Sequence, residues 1–201
     1  MELAQTGTWA LIGREAAVHV AGAESALVAR ARQGEMAAFD ELYGRHRDRV
    51  YNLCLNLCGS REEAEDLLQE TFLRAYRGLG SFRGGCAFGV WLHRIAVNVC
   101  RDAHRRSRRE PEIVPLEEHS AVASLDTMSV VREALGRLRP PHRTVLVLRY
   151  NQGLSYDEMA ETLGWSLARV KVTLHRARRA FKDVYQEAGQ AEAMQPGGGR
   201  R

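Results

Sequence analysis

Apolar residues recur at three- and four-residue steps along most of the chain, the spacing of one helix face. Phe39, Leu42, Tyr43, His46, Val50, Leu53 and Leu57 share such a face, and Gly59 stops that helix. Ser60 opens the next with Glu63 three residues on, a capping-box spacing, and Ala64, Leu67, Leu68, Phe72 and Ala75 form its buried stripe. Gly78, Gly80, Gly84 and Gly85 break it. A third helix, from about Phe88 to Arg105, turns Phe88, Trp91, Leu92, Ile95, Ala96 and Val99 inward. The pattern resumes with Val131, Ala134, Leu135 and Leu138, breaks at Pro140-Pro141, and continues through Val145, Leu146 and Leu148 to Gly153. Ser155 and Glu158 make a second capping box before a short helix to Leu163, Gly164 turns the chain, and Ser166 caps a last helix from Leu167 to about Gln186. No segment alternates as a strand does. The expected fold is all-α: two small helical domains, residues 24–109 and 125–186, joined by a flexible linker. The linker spans 110–124 and holds Pro111 and Pro115. Residues 1–23 read as an N-terminal extension and 187–201, with Pro196-Gly-Gly-Gly, as a disordered tail.

Composition narrows the class. The 201 residues are 45% hydrophobic and 27% charged, which is globular and excludes collagen-like or wholly disordered chains. No apolar run approaches the roughly 18 residues of a membrane helix, so no direct membrane insertion is expected. Met1-Glu2 begins no basic leader, and four cysteines without a paired CxxC suit a reducing compartment, which points to the cytoplasm. The net charge of +4 is unevenly spread. Arg101, Arg105, Arg106, Arg108 and Arg109 stand against Asp102 alone, and Ser166 to Lys182 holds six basic residues and no acid. Two basic stretches are the footprint of a polyanion, most simply nucleic acid, or else solvated helix faces.

Ser155 to Leu174 has helix-turn-helix spacing, with Ala160 small where the helices meet and Gly164 in the turn. Val170, Leu174, Ala177 and Phe181 point to the core, and Arg169, Val172, Thr173 and Arg176 lie opposite. Lys171, His175, Arg178 and Lys182 line one flank. Such a helix can enter a major groove, with its first turns at base edges and its flank on phosphates; the plain alternative is a helical hairpin with a basic face. The third helix carries a second stripe, Arg94, Asn98, Arg101 and Arg105. Before it, the Gly-rich loop Ser81–Phe88 with Phe82 can receive an unstacked base or is an ordinary connection. Trp91 sits on the inward stripe and reads as core. Glu62, Asp66, Gln69 and Glu70 give the second helix an acidic face, either solvated or meeting a basic protein surface. Cys54 and Cys58, four apart, leave a zinc or redox site open, but their place beside Leu53 and Leu57 fits small buried residues better. His46 reads as a packed core histidine.

Four segments in order resemble the extracytoplasmic-function group of the sigma-70 family of bacterial sigma factors: Asp66-Leu-Leu-Gln-Glu-Thr-Phe-Leu73, Phe88-Gly-Val-Trp-Leu-His-Arg-Ile-Ala-Val-Asn98, Leu154-Ser-Tyr-Asp-Glu-Met-Ala160, and Val170-Lys171 with Leu174-His-Arg-Ala-Arg178. The resemblance implies a region 2-like bundle and a region 4-like helix-turn-helix domain. It implies that Asp66, Gln69 and Glu70 grip the clamp helices of the largest subunit of core RNA polymerase, and that the second domain meets the flap region. Phe82, Arg94, Asn98, Arg101 and Arg105 would recognise and melt the minus-ten element of promoter DNA. Ser166, Arg169, Lys171, Thr173, His175, Arg176 and Arg178 would read the minus-35 element. It further implies control by an anti-sigma factor in a stress or envelope response, a monomer when free, and no cofactor, metal or catalytic residue. Ala168-Arg169 stands where members often have Gly-Thr, Thr173 where Arg is common, and Trp165 where a smaller apolar residue is usual, so the minus-35 preference is not inherited. The alternative is an autonomous helix-turn-helix transcriptional regulator, which leaves the acidic face and the Asn98 stripe unexplained. A nuclease lacks support: there is no carboxylate cluster at ligand spacing and no phosphate-cradling GxxxxGK loop.

Overall fold

A computed structural model describes residues 22–109 and 127–193, and its elements are helices throughout. They are α1 (22–32), α2 (Met36–Cys58), α3 (Arg61–Gly78), a 3₁₀ turn (Leu79–Ser81), α4 (Phe88–Arg109), α5 (Thr127–Gly136), α6 (Pro140–Leu146), a π-turn (Val147–Asn151), α7 (Tyr156–Leu163) and α8 (Leu167–Ala193). The expected extension, apart from its last two residues, and the linker lie outside the described residues, as does the tail from 194 on. Two expected ends move. The third helix runs to Arg109, and the last runs past Gln186 to Ala193, because alanine-rich chain meets no proline before Pro196.

The boundaries follow the local chemistry. The Glu63 amide donates to Ser60 Oγ at the start of α3. At α7 both arms of the box form: the Glu158 amide donates to Ser155 Oγ (3.2 Å) and the Ser155 amide to Glu158 Oε2 (2.7 Å). Gly164 closes α7 at φ 65°, a left-handed turn that a side chain would strain. The Arg169 amide donates to Ser166 Oγ (3.3 Å) and starts α8.

α2, α3 and α4 pack together around Leu42, Val50, Leu53, Leu67, Phe72 and Leu92. α5 to α8 form the second unit around Val145, Leu148, Met159, Val170 and Leu174. At about 1.5–3 kcal/mol per fully buried aliphatic side chain, these stripes drive both bundles. The two units also pack on each other, α4 against α7 and α2 against α5 and α6, and the buried residues form one contiguous cluster. α4 is therefore buried on a wider arc than its amphipathic stripe requires: Val90, His93 and Val97 are buried as well. Arg143 of α6 ties the units at helix C-termini. It donates to Leu57 O of α2 (2.7 Å), Leu135 O of α5 (2.8 Å) and Gly136 O. A guanidinium satisfies carbonyls that each helix leaves open and sits at the negative end of each dipole. Gln152 Nε2 adds a bond to Arg49 O of α2 (3.1 Å).

Candidate polymerase and nucleic-acid interfaces

The stripe that buries Leu67, Leu68 and Phe72 points Asp66 and Gln69 of α3 out to solvent. Glu70, half-buried, accepts from Arg74 Nε one turn on (2.6 Å). Beside these polar groups Met36, Leu73 and Tyr76 are 52%, 44% and 42% exposed, so the acidic face carries an apolar border. That combination suits a protein partner better than open solvent. The border was invisible in the sequence, where these residues follow the helix period without showing that nothing covers them.

The loop after α3 corrects one expectation. Phe82 is only 8% exposed. Its ring stands edge-on to Phe88, with centroids 5.8 Å apart, and 5.1 Å from Trp91. Phe82 is a core side chain of this loop and presents no face on which a base could stack. The reason is that the glycines fold the loop back over the start of α4, where three aromatic rings gain more by packing than by exposure. Trp91 packs inward, as its stripe position implied. On α4 Arg94 and Asn98 are exposed, Arg105 is exposed, and Arg101 is half-buried. Burial, then the positive charges of Arg169 and Arg105, make Arg101 easier to deprotonate than usual. A groove of about 1010 Å³ between α4 and the α5–α6 corner is lined by Asn98, Arg101, Arg105 and Arg143.

The lone acid of the first basic stretch is fully engaged. Asp102 Oδ1 accepts from Arg105 (2.5 Å) and Oδ2 from Arg74 (3.1 Å). These bonds, Arg105 first, hold its carboxyl below the usual range, and bonds to Glu70 and Asp102 raise Arg74.

On the second unit Ser166, Arg169, Lys171, His175, Arg176 and Arg178 are exposed and Thr173 is half-buried. Ser166 uses its hydroxyl as the helix cap. The Arg169 guanidinium lies 4.1 Å above the Trp165 ring, a cation–π contact that aims it from the turn; Trp165 thus does more than fill space. Arg178 donates from Nε to Tyr150 Oη (2.7 Å), so it points to the π-turn. Leu167 and Val172 are 38% and 49% exposed beside these cations. Apolar side chains among arginines fit a groove wall in which guanine edges alternate with thymine methyls.

The cysteines are free. Cys100 lies beside Cys54, and hydrogen bonding with that thiol, then burial, push its own thiol far up; burial pushes Cys58 up to about 11. Such thiols are neutral, poor nucleophiles and poor metal ligands. His46 is buried and donates to Glu24 Oε1 of α1 (2.8 Å), edge-on to Phe88.

Residues 42–110 match the family described as Sigma-70 region 2, and residues 129–181 match Sigma-70, region 4. ECF RNA polymerase sigma factor SigW of Bacillus subtilis is 31% identical over 77% of this chain and 92% of its own length. SigM of Mycobacterium tuberculosis H37Rv is 38% identical, over 77% of this chain and 81% of its own. The chain belongs to the ECF group of the sigma-70 family. A further ECF sigma factor, SigE of Mycolicibacterium smegmatis, is 37% identical over 75% of this chain, and the match spans 63% of that longer protein. The solved structure of CnrH in complex with the cytosolic domain of CnrY superposes with a TM-score of 0.66 at 28% identity, covering 82% of this chain and 98% of CnrH. The region 2 match thus takes in the acidic face of α3 and the stripe of α4, and the region 4 match takes in the helix-turn-helix. None of the described helices is long and apolar enough to cross a membrane.

Proposed function

We propose that this ECF sigma factor is an initiation factor without chemistry of its own. It binds core RNA polymerase through Asp66, Gln69 and Glu70 with the apolar border of Met36, Leu73 and Tyr76, and directs the enzyme to promoters in the cytoplasm. α4 contributes Arg94, Asn98, Arg101 and Arg105 to the minus-ten element. α8 contributes Arg169, Lys171, Thr173, His175, Arg176 and Arg178 to the minus-35 element, and Ser166 holds its first turn. One observation carries the reading: in a chain of this family, an exposed acidic–apolar face and two exposed basic faces lie on three different helices. A lone DNA-binding repressor needs only one of the three.

The packing of α4 on α7 adds a condition. Elements at minus-ten and minus-35 lie about 25 base pairs apart, about 85 Å at 3.4 Å per pair. With α4 packed on α7, the helix that precedes the recognition helix, the packed chain cannot span that distance, so the units part on the promoter. Two separate weak contacts joined by a tether then gain effective concentration on one complex. An anti-sigma factor that favours the packed arrangement would keep the chain silent; the similar CnrH was solved in complex with a second protein, the cytosolic domain of CnrY. Run-off transcription with core polymerase and the chain's own genomic DNA tests the proposal. Discrete transcripts that require the chain are expected; their absence on every template overturns it.

A further inference from the structure

The acidic face of α3 and the basic stripe of α4 are physically joined. Glu70 accepts from Arg74 Nε (2.6 Å), Arg74 Nη1 donates to Asp102 Oδ2 (3.1 Å), and Asp102 Oδ1 accepts from Arg105 Nη2 (2.5 Å). Two carboxylates are shared between two guanidiniums along a single line from the polymerase-facing side chain to a DNA-facing one. Arg74 has a different nitrogen on each carboxylate, and Asp102 has a different oxygen on each arginine. Glu70, Arg74 and Asp102 are each little more than a third exposed, whereas Arg105 is 70% exposed and is the member most easily released.

Resting on the proposed function, we propose that Arg74 and Asp102 are positioning residues that relay polymerase capture at Glu70 to the minus-ten helix by releasing Arg105. The physical step is a competition. When a cation of the polymerase takes the Glu70 carboxylate, Arg74 loses one of its two partners. Its planar fork then turns wholly to Asp102, where a bidentate pair satisfies both oxygens. Arg105 loses its acceptor and its charge becomes available to a phosphate. The coupling is reciprocal, as linkage requires: a phosphate that takes Arg105 leaves Asp102 to Arg74 and frees Glu70 for the polymerase. The lone acid of the basic stretch thereby acquires a role, keeping Arg105 occupied until the polymerase has been met.

The pairs are part-exposed, so each is weak and the expected effect is about threefold in affinity. The test measures binding of a short, mixed-sequence, single-stranded oligonucleotide by fluorescence anisotropy, because a phosphate contact needs no sequence. Affinity is measured for the full chain alone and for its complex with core polymerase, and the ratio is the polymerase-dependent gain. Asp102→Asn frees Arg105 beforehand: the chain alone binds about threefold tighter, the complex is unchanged, and the gain shrinks. Arg74→Gln leaves Asp102 on Arg105 in both states: the chain alone is unchanged, the complex binds about threefold more weakly, and the gain shrinks again. A merely electrostatic role shifts both states together and leaves the gain intact. Either variant with an unchanged gain and wild-type helix content by circular dichroism overturns the relay while the sigma reading stands. A wild-type chain with no gain at all overturns the relay, while the sigma reading is decided separately by run-off transcription.

Discussion

His93 makes the packed arrangement sensitive to acid. Its ring is 5% exposed on the face of α4 that meets the second unit. Neither ring nitrogen makes a well-formed hydrogen bond to a described residue, and Gln152 Oε1 nearby has no partner either. Burial first, then the neighbouring His46 and Arg49 on α2, push the ring's pKa down to about 4; Gln152 and Glu158 of the second unit pull weakly the other way. The ring is neutral at pH 7. Because its pKa in the packed state lies below the ordinary 6.5, stability is whole above about pH 6.5 and drains as the pH falls toward 4. The complete gap is worth about 3 kcal/mol, and the part lost between pH 7.5 and 5.5 is about 1 kcal/mol. Urea unfolding of the wild type and of His93→Leu, each at both pH values, isolates the effect. The wild type is expected to lose about 1 kcal/mol more than the variant across that interval. Equal losses would show that the ring is solvated or paired and that the argument fails.

Asp66→Ala with Gln69→Ala removes two exposed side chains, so folding is expected to be unchanged while affinity for core polymerase falls at least tenfold in a pull-down titration; unchanged co-purification rejects the face. Arg169→Ala or Arg176→Ala should cost about 1–3 kcal/mol of discrimination between a promoter and competitor DNA, measured with the holoenzyme, if that helix reads base edges. Gly89→Ala places a Cβ 3.3 Å from His46 Cε1, and His46 is tied to Glu24 and yields poorly. A net loss of about 1 kcal/mol is expected in thermal unfolding, overpacking exceeding the small helix-propensity gain; a stabilised variant would mean His46 moves freely.

The helices were legible because local rules and tertiary packing agree. Ser60, Ser155 and Ser166 cap as their spacing requires, and the stripes of α2 and α3 are buried. Periodicity names an inward face but not what covers the outward one. Val97 and His93 look like flank residues until the second unit, with α7, is laid against the first. Arg143 reads as a surface cation because the carbonyls it satisfies belong to residues 57, 135 and 136, two of them eight or fewer positions away and one 86 away. Of the charged candidate DNA residues most are exposed, while Arg101 is half-buried and Arg178 is bonded to Tyr150. Phe82 was not legible as core, since a glycine-rich loop leaves no period from which to tell a displayed ring from a packed one. The Arg74–Asp102 bridge left only a faint trace in the sequence, a solitary acid among arginines.

The single contiguous core has a thermodynamic consequence. With Leu57 and Arg49 of one unit bonded to Arg143 and Gln152 of the other, and apolar side chains continuous between them, the free chain melts as one cooperative body despite its two-part ancestry. Each half has borrowed stability from its neighbour, and parting them exposes that debt. Whatever parts the halves must replace the lost burial with its own surface.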